Sequence, residues 1–497
     1  MTEVDMKTQT ISTRSRQIIN IITLLFLSVF VITICSKSSP LYPLNDWDDP
    51  NCFFTVGKAM AEGKILYRDI FEQKGPLLYM LHELTCFISR RTFLGVYFVE
   101  ITACFLFLYF SYKTLTLFSK GKSILVMAPL AALAFTSLSF CSGDSAEELC
   151  MPFLSYALYV SLKSIKSNRS LPLANALLCG IGMGAVLWIK FTMLSFYIGI
   201  CSAFVIIYIM QKKYLRILTS ALAIIAGMLI ASIPVIWYFA GNGAFSELYE
   251  VYIYDNMFLY STGSQLPPVI RQIVNLFSGL LSFAMYNTFG FICLIFGYIL
   301  VYRKEDRNMK IAFTAITASA FFFSFIGGRA YAYYSYIMTV FTPVGMAFIY
   351  DLAIKAAEKK KRGKAVLKAG ACVFSLLVTL FMCRNTYLIF TPKEELPQFR
   401  FEKHISQKEN ATLLNYGFLD GGFYTVTGIV PDCRYFCELN IEIPEMYAEQ
   451  NDYAENGRVD FIVTKDEKPE FEKYELIDEC GARYWNDISM YYLYRKK

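Results

Sequence analysis

Three aspartates within four positions, Asp46, Asp48 and Asp49, open a stretch of this 497-residue chain whose side chains can do chemistry. Carboxylates that close repel one another unless they share a cation, a metal or a proton. Such a group can take a proton from a hydroxyl as general base. It can equally hold a hard divalent ion such as Mg²⁺ or Mn²⁺. The competing reading is local: an Asx turn or a helix cap, with Asp49 standing before Pro50 as an N-cap stands before a first-turn proline. The stretch continues with Gly57, Gly63, Tyr67-Arg68-Asp69 and Glu72-Gln73-Lys74-Gly75-Pro76. A second acidic group, Asp144, Glu147 and Glu148, follows in SGDSAEEL, with no cation near it in the chain. There the competing reading is a capped helix start, Asp144 included, whose first turn favours acids. Lys190 and Arg329 each end an apolar run, where a cation must snorkel or meet a partner. His82 and His404 are the only histidines, too few for a His-rich zinc centre.

The elements that must position these residues are membrane spans. The chain is 55% hydrophobic, 16% aromatic and 18% charged, with a mean hydropathy of +0.41. That balance excludes a soluble multidomain protein, intrinsic disorder and a secreted disulfide scaffold. Most of the fourteen cysteines lie in apolar runs, where cysteine behaves as a small hydrophobe. Apolar runs predict eleven crossings, at 18–36, 93–117, 123–141, 149–163, 171–189, 191–210, 214–240, 272–302, 310–327, 333–354 and 365–388. Lys7, Arg14 and Arg16 precede the first, which reads as an uncleaved span because no small-residue cleavage site follows. Basic clusters fall at alternate connections: Lys120 and Lys122; Lys163, Lys166 and Arg169; Lys212, Lys213 and Arg216; Arg303, Lys304, Arg307 and Lys310; and Lys355 to Lys368. By the positive-inside rule these and the N-terminus are cytoplasmic. The basic residues thus set orientation rather than bind nucleic acid. Loops 37–92, 142–148, 241–271 and 328–332 then lie outside, with the C-terminal tail. The apolar but short segment 76–89 is expected as an amphipathic or re-entrant helix at the outer interface.

The net charge of +6 hides two bodies. Up to Leu388 there are 34 Lys+Arg against 20 Asp+Glu, a balance of +14; beyond it there are 13 against 21, a balance of −8. The expected division is a membrane domain over 1–388, with a functional loop at 37–92, and a soluble extracytoplasmic α/β domain over 389–497. Strands are expected at 411–415, 434–439, 459–464, 474–478 and 490–494, and helices near 397–407 and 444–456. The Gly- and aromatic-rich stretch 417–431 reads as a packed turn, with a cover over an acceptor site as the alternative. Cys433, Cys437 and Cys480 can pair or stay reduced.

The stretch WDDPNCFFTVGKAMAEGKILYRDIFEQKGPLLY resembles the first outer loop of polytopic lipid-linked-sugar glycosyltransferases of the GT-C class, in the branch of protein O-mannosyltransferases and lipid A aminoarabinose transferase. The class has an acidic motif after the first span, here Asp48-Asp49, then Gly-x-x-x-Tyr-x-Asp, here Gly63 to Asp69, then a lysine before small or proline residues, here Lys74-Gly75-Pro76. Gly180 to Gly184 followed by Lys190 is similar to its glycine-rich span. Gly327-Gly328-Arg329 with Tyr331, Tyr333 and Tyr334 resembles a loop in which many relatives carry histidine at the place of Tyr333. The resemblance implies a GT-C-like α-helical membrane fold of about eleven spans in a bacterial plasma membrane. It implies a polyprenyl-phosphate sugar donor lying among membrane lipid, and a cell-wall polymer, glycolipid or protein as acceptor. Asp49, then Asp48, would be the catalytic base. Glu147, Glu148 and Asp144 would form a second acidic site. Lys74, Lys190, Arg329 and Arg68 would meet the donor phosphate. A metal, if used, would be Mg²⁺ or Mn²⁺ on Asp46, Asp48 and Asp49; the resemblance fixes no cofactor. A lipid-linked glycan carrier and a polysaccharide polymerase or ligase are the alternatives, although the charged motifs lie in loops rather than at mid-span, where carriers place them.

Overall fold

The computed structural model describes residues 3–121, 123–259, 267–484 and 487–497. Lys122 and the part 260–266 of the loop 241–271 lie outside the described residues, as do the side chains of Lys7 and Arg14. A backbone in a bilayer has no water to bond and must satisfy itself internally, so the apolar runs fold as helices. In chain order these are α1 (Glu3–Cys35), α2 (Asp48–Ala61), α3 (Pro76–Thr85), α4 (Leu94–Phe118), α5 (Met127–Phe135), α6 (Ala146–Lys166), α7 (Leu173–Ile189), α8 (Leu194–Met210) and α9 (Tyr214–Asn242). Helices Pro268–Tyr286, Thr288–Lys304, Arg307–Phe325, Thr342–Glu358 and Gly363–Met382 complete the bundle. Helices α7 and α9 meet backbone to backbone: a Cβ on Gly180 would stand 2.1 Å from the Ile224 carbonyl oxygen, and one on Gly227 2.2 Å from that of Leu177. The glycine-rich run of α7 therefore packs helices.

Among the described residues eight helices are long and apolar enough to cross a membrane, rather than the eleven expected. The apolar run 123–141 makes only the short helix Ile124–Phe135, and α7 has 17 residues. Helix α6 carries acids in its first turn, Pro152 inside and lysines in its last turn, which lower its hydropathy. The single span expected at 272–302 is two helices broken at Asn287. Its side chain accepts the Gly290 N–H at 3.1 Å and donates to Ser335 O and Thr339 Oγ1 at 3.0 and 2.9 Å, so a buried amide replaces the backbone bonds lost at the break. Helix α3, over the segment 76–89, has ten residues, about 15 Å, half of what a crossing needs.

The tail forms a four-stranded sheet in the order β1 (Leu413–Asn415), β2 (Phe461–Lys465), β4 (Asp487–Lys496), β3 (Tyr474–Tyr484). Strand β1 runs parallel to β2, and the other pairs are antiparallel. Helices Pro397–Ile405 and Pro444–Glu455 flank it. Residues 434–439 are not the expected strand. Two of their buried carbonyls are satisfied by side chains instead of a ladder: Gln450 Nε2 donates to Tyr435 O, and Tyr424 OH to Phe436 O, each at 2.9 Å. The 417–431 stretch is a packed turn, with Phe418 and Phe423 edge to face at 6.3 Å.

That turn clamps the tail onto α2. The fully buried Asp420 carboxylate accepts Thr55 Oγ1 at 2.6 Å, the Gly422 N–H at 2.9 Å and Asn415 Nδ2 at 3.2 Å. Thr425 Oγ1 donates to Asn51 Oδ1 at 2.9 Å, and the buried Lys58 ammonium donates to the Tyr424 carbonyl. Removing a buried acceptor strands its donors, at about 1–3 kcal/mol each. Asp420→Ala is therefore expected to lower the unfolding midpoint and to speed proteolysis of the tail, whereas Asp420→Asn, which keeps one acceptor, loses less. Equal protease resistance of all three proteins would contradict the clamp.

Candidate functional site

Helix α2 begins at Asp48, with Trp47 as N-cap. Asp48 and Asp49 thus occupy its first turn, where unpaired N–H groups and the helix dipole favour carboxylates. The preceding turn is closed by Asn45, whose Oδ1 accepts the Trp47 N–H at 3.1 Å, so Asp49 is not the cap that Pro50 suggested. Asp46 is engaged elsewhere, in an ion pair with Lys37 and as acceptor from Tyr387 OH at 2.8 Å. The structure therefore does not gather Asp46, Asp48 and Asp49 into one ligand set. No group of three or more His, Cys, Asp or Glu among the described residues is arranged to hold a metal ion.

The two first-turn aspartates meet different surroundings. Burial lifts the Asp48 pKa to about 7, opposed by Lys465 of the tail and reinforced by Asp49, Asp420 and Asp46. Burial also raises the Glu72 carboxyl; Lys74 opposes this and Asp49 adds to it. A carboxyl whose pKa rises on folding binds its proton more tightly in the native state. Native stability should then fall as pH rises from Asp48's ordinary 3.8 towards about 7, and level off above. Asp48→Asn should flatten that slope in urea titrations run at several pH values; an unchanged slope would assign it to other groups.

Glu72 is 2% exposed. Its Oε2 accepts the Lys74 N–H at 2.9 Å, and Lys74 Nζ stands 3.5 Å from Oε1 and 5.5 Å over the Phe53 ring. The Gly75 N–H bonds Ile189 O at 3.2 Å, which seats Lys74 beside the end of α7, where Lys190 follows. Lys190 leaves that helix in an extended conformation. Its ammonium pairs with Glu147, in the first turn of α6, beneath the rings of Tyr334 and Tyr333 at 4.2 and 5.1 Å. Tyr333 packs on Trp47 at 5.9 Å, which ties the start of α2 to this pair. Arg329 Nη1 donates to Tyr331 OH at 3.2 Å and Asn440 O at 3.3 Å. Glu147, Lys190 and Arg329 line one cavity of about 250 Å³, whose apolar wall includes Met193, Met257 and Phe323. Arg68 is not in that group: its half-exposed guanidinium bonds Asp69 at 3.0 and 3.3 Å and reaches Asn242 O at 3.5 Å.

The other two acids of the second group form a separate buried cluster. Asp144 Oδ2 lies 3.0 Å from His82 Nε2, and its N–H is shared by Glu100 Oε1 at 2.9 Å and Glu148 Oε2 at 2.8 Å. His82 Nδ1 donates to Leu78 O at 2.8 Å, so a proton must lie between Nε2 and Asp144. Burial disfavours the imidazolium, but the Asp144 charge and hydrogen bond outweigh it and raise the His82 pKa. The cap of α6 is Ser145, whose Oγ accepts the Glu148 N–H at 3.0 Å, and not Asp144. Residues 141–144 have φ of 57°, 73°, 95° and 54°, a turn with local strain at its non-glycine members. A Cβ on Gly143 would stand 2.3 Å from Glu100 Oε1. Glu100 Oε2 accepts Ser36 Oγ at 2.8 Å, and Arg90 pairs with Glu62.

Sequence reasoning thus missed the cations that meet the second acidic group, Lys190 and His82. Neither is near it in the chain. It also missed the Tyr333–Tyr334 cradle and Glu72, although the latter stands two residues before Lys74 in the same motif.

Residues 8–392 match the model of the family described as the competence-induced protein Ccs4 N-terminal domain. The chain belongs to that family. In this Ccs4-family chain Asp48, Asp49, Glu72, Lys74, Glu147, Lys190 and Arg329 all fall inside the matched region, whereas Asp420 and Lys465 lie beyond it. Two solved structures of ArnT from Cupriavidus metallidurans share its fold. The one bound to undecaprenyl phosphate covers 96% of this chain and 98% of its own, with a TM-score of 0.60 at 10% identity. The apo form covers 97% and 98%, with a TM-score of 0.60 at 11% identity. The Ccs4-family chain is accordingly a multi-pass α-helical membrane protein with the fold of ArnT, ending in a small open sheet. No curated protein matches.

Proposed function

We propose that this Ccs4-family chain is a membrane glycosyltransferase that moves a sugar from a polyprenyl-phosphate donor to a cell-envelope acceptor. The observation that carries the reading is the shared cavity of Glu147, Lys190 and Arg329, with apolar side chains on one wall and the Asp49 turn tied to its tyrosines through Trp47. Cations beside an apolar wall suit a phosphate carried on a lipid. ArnT of the same fold has been solved with undecaprenyl phosphate bound.

In this reading the acceptor hydroxyl gives its proton to Asp49 as its oxygen attacks the anomeric carbon, and the bond from that carbon to the phosphate oxygen breaks. Attack opposite the leaving group inverts the anomeric centre. Lys190, Arg329 and Lys74 stabilise the departing polyprenyl phosphate. Glu147 holds Lys190 aimed before donor arrives. Asp48 supports the turn and the first-choice base. Glu148 and Asp144 hold the 141–144 turn against Glu100 and His82, and Arg68 serves the rim. With the basic clusters cytoplasmic, the site and tail face outward. Each step in this reading is carried by protein side chains.

Purified full-length protein incubated with a panel of polyprenyl-phosphate sugars tests the reading. Release of polyprenyl phosphate dependent on an added acceptor fraction is expected. Movement of lipid-linked glycan across liposomes without bond cleavage would replace it with a carrier.

A further inference from the structure

A second cavity, of about 580 Å³, lies where the segment after α1, the start of α4 and the segment after Gly363–Met382 meet the tail. Its lining holds three cations, Lys37, Arg91 and Lys393, and no aspartate or glutamate. Lys37 is already paired with Asp46. Arg91 and Lys393 are exposed, and among the described residues neither has a carboxylate partner. The lining also holds the hydroxyls of Ser39, Thr92, Thr391 and Thr425, of which the last three donate within the protein, to Ser89 Oγ, Tyr387 O and Asn51 Oδ1. The rim is apolar and bare: Leu41 is 40% exposed and Phe390, beside the lining residue Ile389, 83% exposed. Three apolar helices end here, so that rim lies at the bilayer surface.

We infer that this cavity binds the headgroup of an anionic phosphodiester lipid, at a site separate from the Glu147–Lys190–Arg329 cavity and independent of the reaction proposed for it. The chemistry follows from the lining. Two cations without counter-carboxylates in one cavity favour an anion with several acceptor oxygens. A free phosphate would satisfy the cations but leave the apolar rim in water. A lipid covers both, its acyl chains lying against Leu41 and Phe390. A basic residue near a membrane surface contributes on the order of 1 kcal/mol to anionic lipid binding, about fivefold in affinity.

The test uses full-length protein in nanodiscs of phosphatidylcholine with stepped fractions of phosphatidylglycerol, reading retained lipid by native mass spectrometry. Preferential retention of phosphatidylglycerol is expected. Arg91→Gln and Lys393→Gln should each weaken the preference about fivefold, and together abolish it. Arg91→Lys with Lys393→Arg should keep it. Thr92→Glu, at an exposed position, sets a carboxylate beside Arg91 without touching the core, and should abolish the preference even where the glutamine variants fold poorly. Equal retention of both lipids, or a preference that survives Thr92→Glu and the double glutamine variant, would overturn the inference. So would complete displacement of the lipid by soluble glycerol phosphate, which would reassign the cavity to a water-soluble anion.

Discussion

Asp49→Asn is expected to slow polyprenyl-phosphate release by about 10²–10⁴-fold, the usual contribution of a positioned general base. Asparagine keeps the size of the side chain and its place in the first turn of α2, but cannot take up a proton. The donor is held by cations on other elements, Lys190 after α7 and Arg329 before Tyr331, so its binding should change little. The loss should therefore appear in the single-turnover rate at saturating donor, with apparent donor affinity nearly unaltered. Asp48→Asn is the informative neighbour. Its charge is coupled to Lys465 and Asp420 of the tail, so it should alter the pH dependence of stability more than the rate. A fast Asp49→Asn enzyme beside a dead Asp48→Asn enzyme would exchange the two roles; two fast enzymes would remove the base from this turn altogether.

Glu147→Ala should cost about 3–5 kcal/mol of stability, because it leaves the Lys190 ammonium buried without its carboxylate. The Tyr333 and Tyr334 rings remain over the ammonium and recover only part of that. Glu147→Ala with Lys190→Met should be far less destabilised than the single variant, since no charge is then left alone. Thermal unfolding of the four proteins in detergent closes the cycle; additive losses would mean that the pair is screened and energetically idle. Added polyprenyl phosphate extends the argument. If its phosphate meets Lys190, it should stabilise Glu147→Ala more than the parent, by supplying the missing anion.

The membrane architecture was legible because it is written in runs. Seven of the expected spans coincide with helices long and apolar enough to cross, an eighth such helix covers the first half of the run 272–302, and helix starts such as Pro397 and Pro444 announced themselves. What was not legible depended on contacts made across the chain. The break at Asn287 sits in a run apolar on both sides, and only the bonds to Ser335 and Thr339 reveal why the chain can bend there. The run 434–439 reads as a strand by composition, yet its partners are side chains from 424 and 450. In the site, residue types were visible and their pairing was not. Lys190 is 43 positions from Glu147, and His82 is 62 from Asp144. Spacing rules carry no information at such separations.

The clamp between α2 and the tail also constrains how this sequence can change over generations. Thr55, Asn51 and Lys58 are answered by Asp420, Thr425 and the Tyr424 backbone, more than 360 residues away, across the end of the matched family region at 392. A substitution on one side is expected to need an answering one on the other. Chimeras that join the first loop of one relative to the tail of another should fail where these partners are mismatched and recover when they are swapped as a set. Drift in the tail is thereby tethered to the helix that carries Asp49.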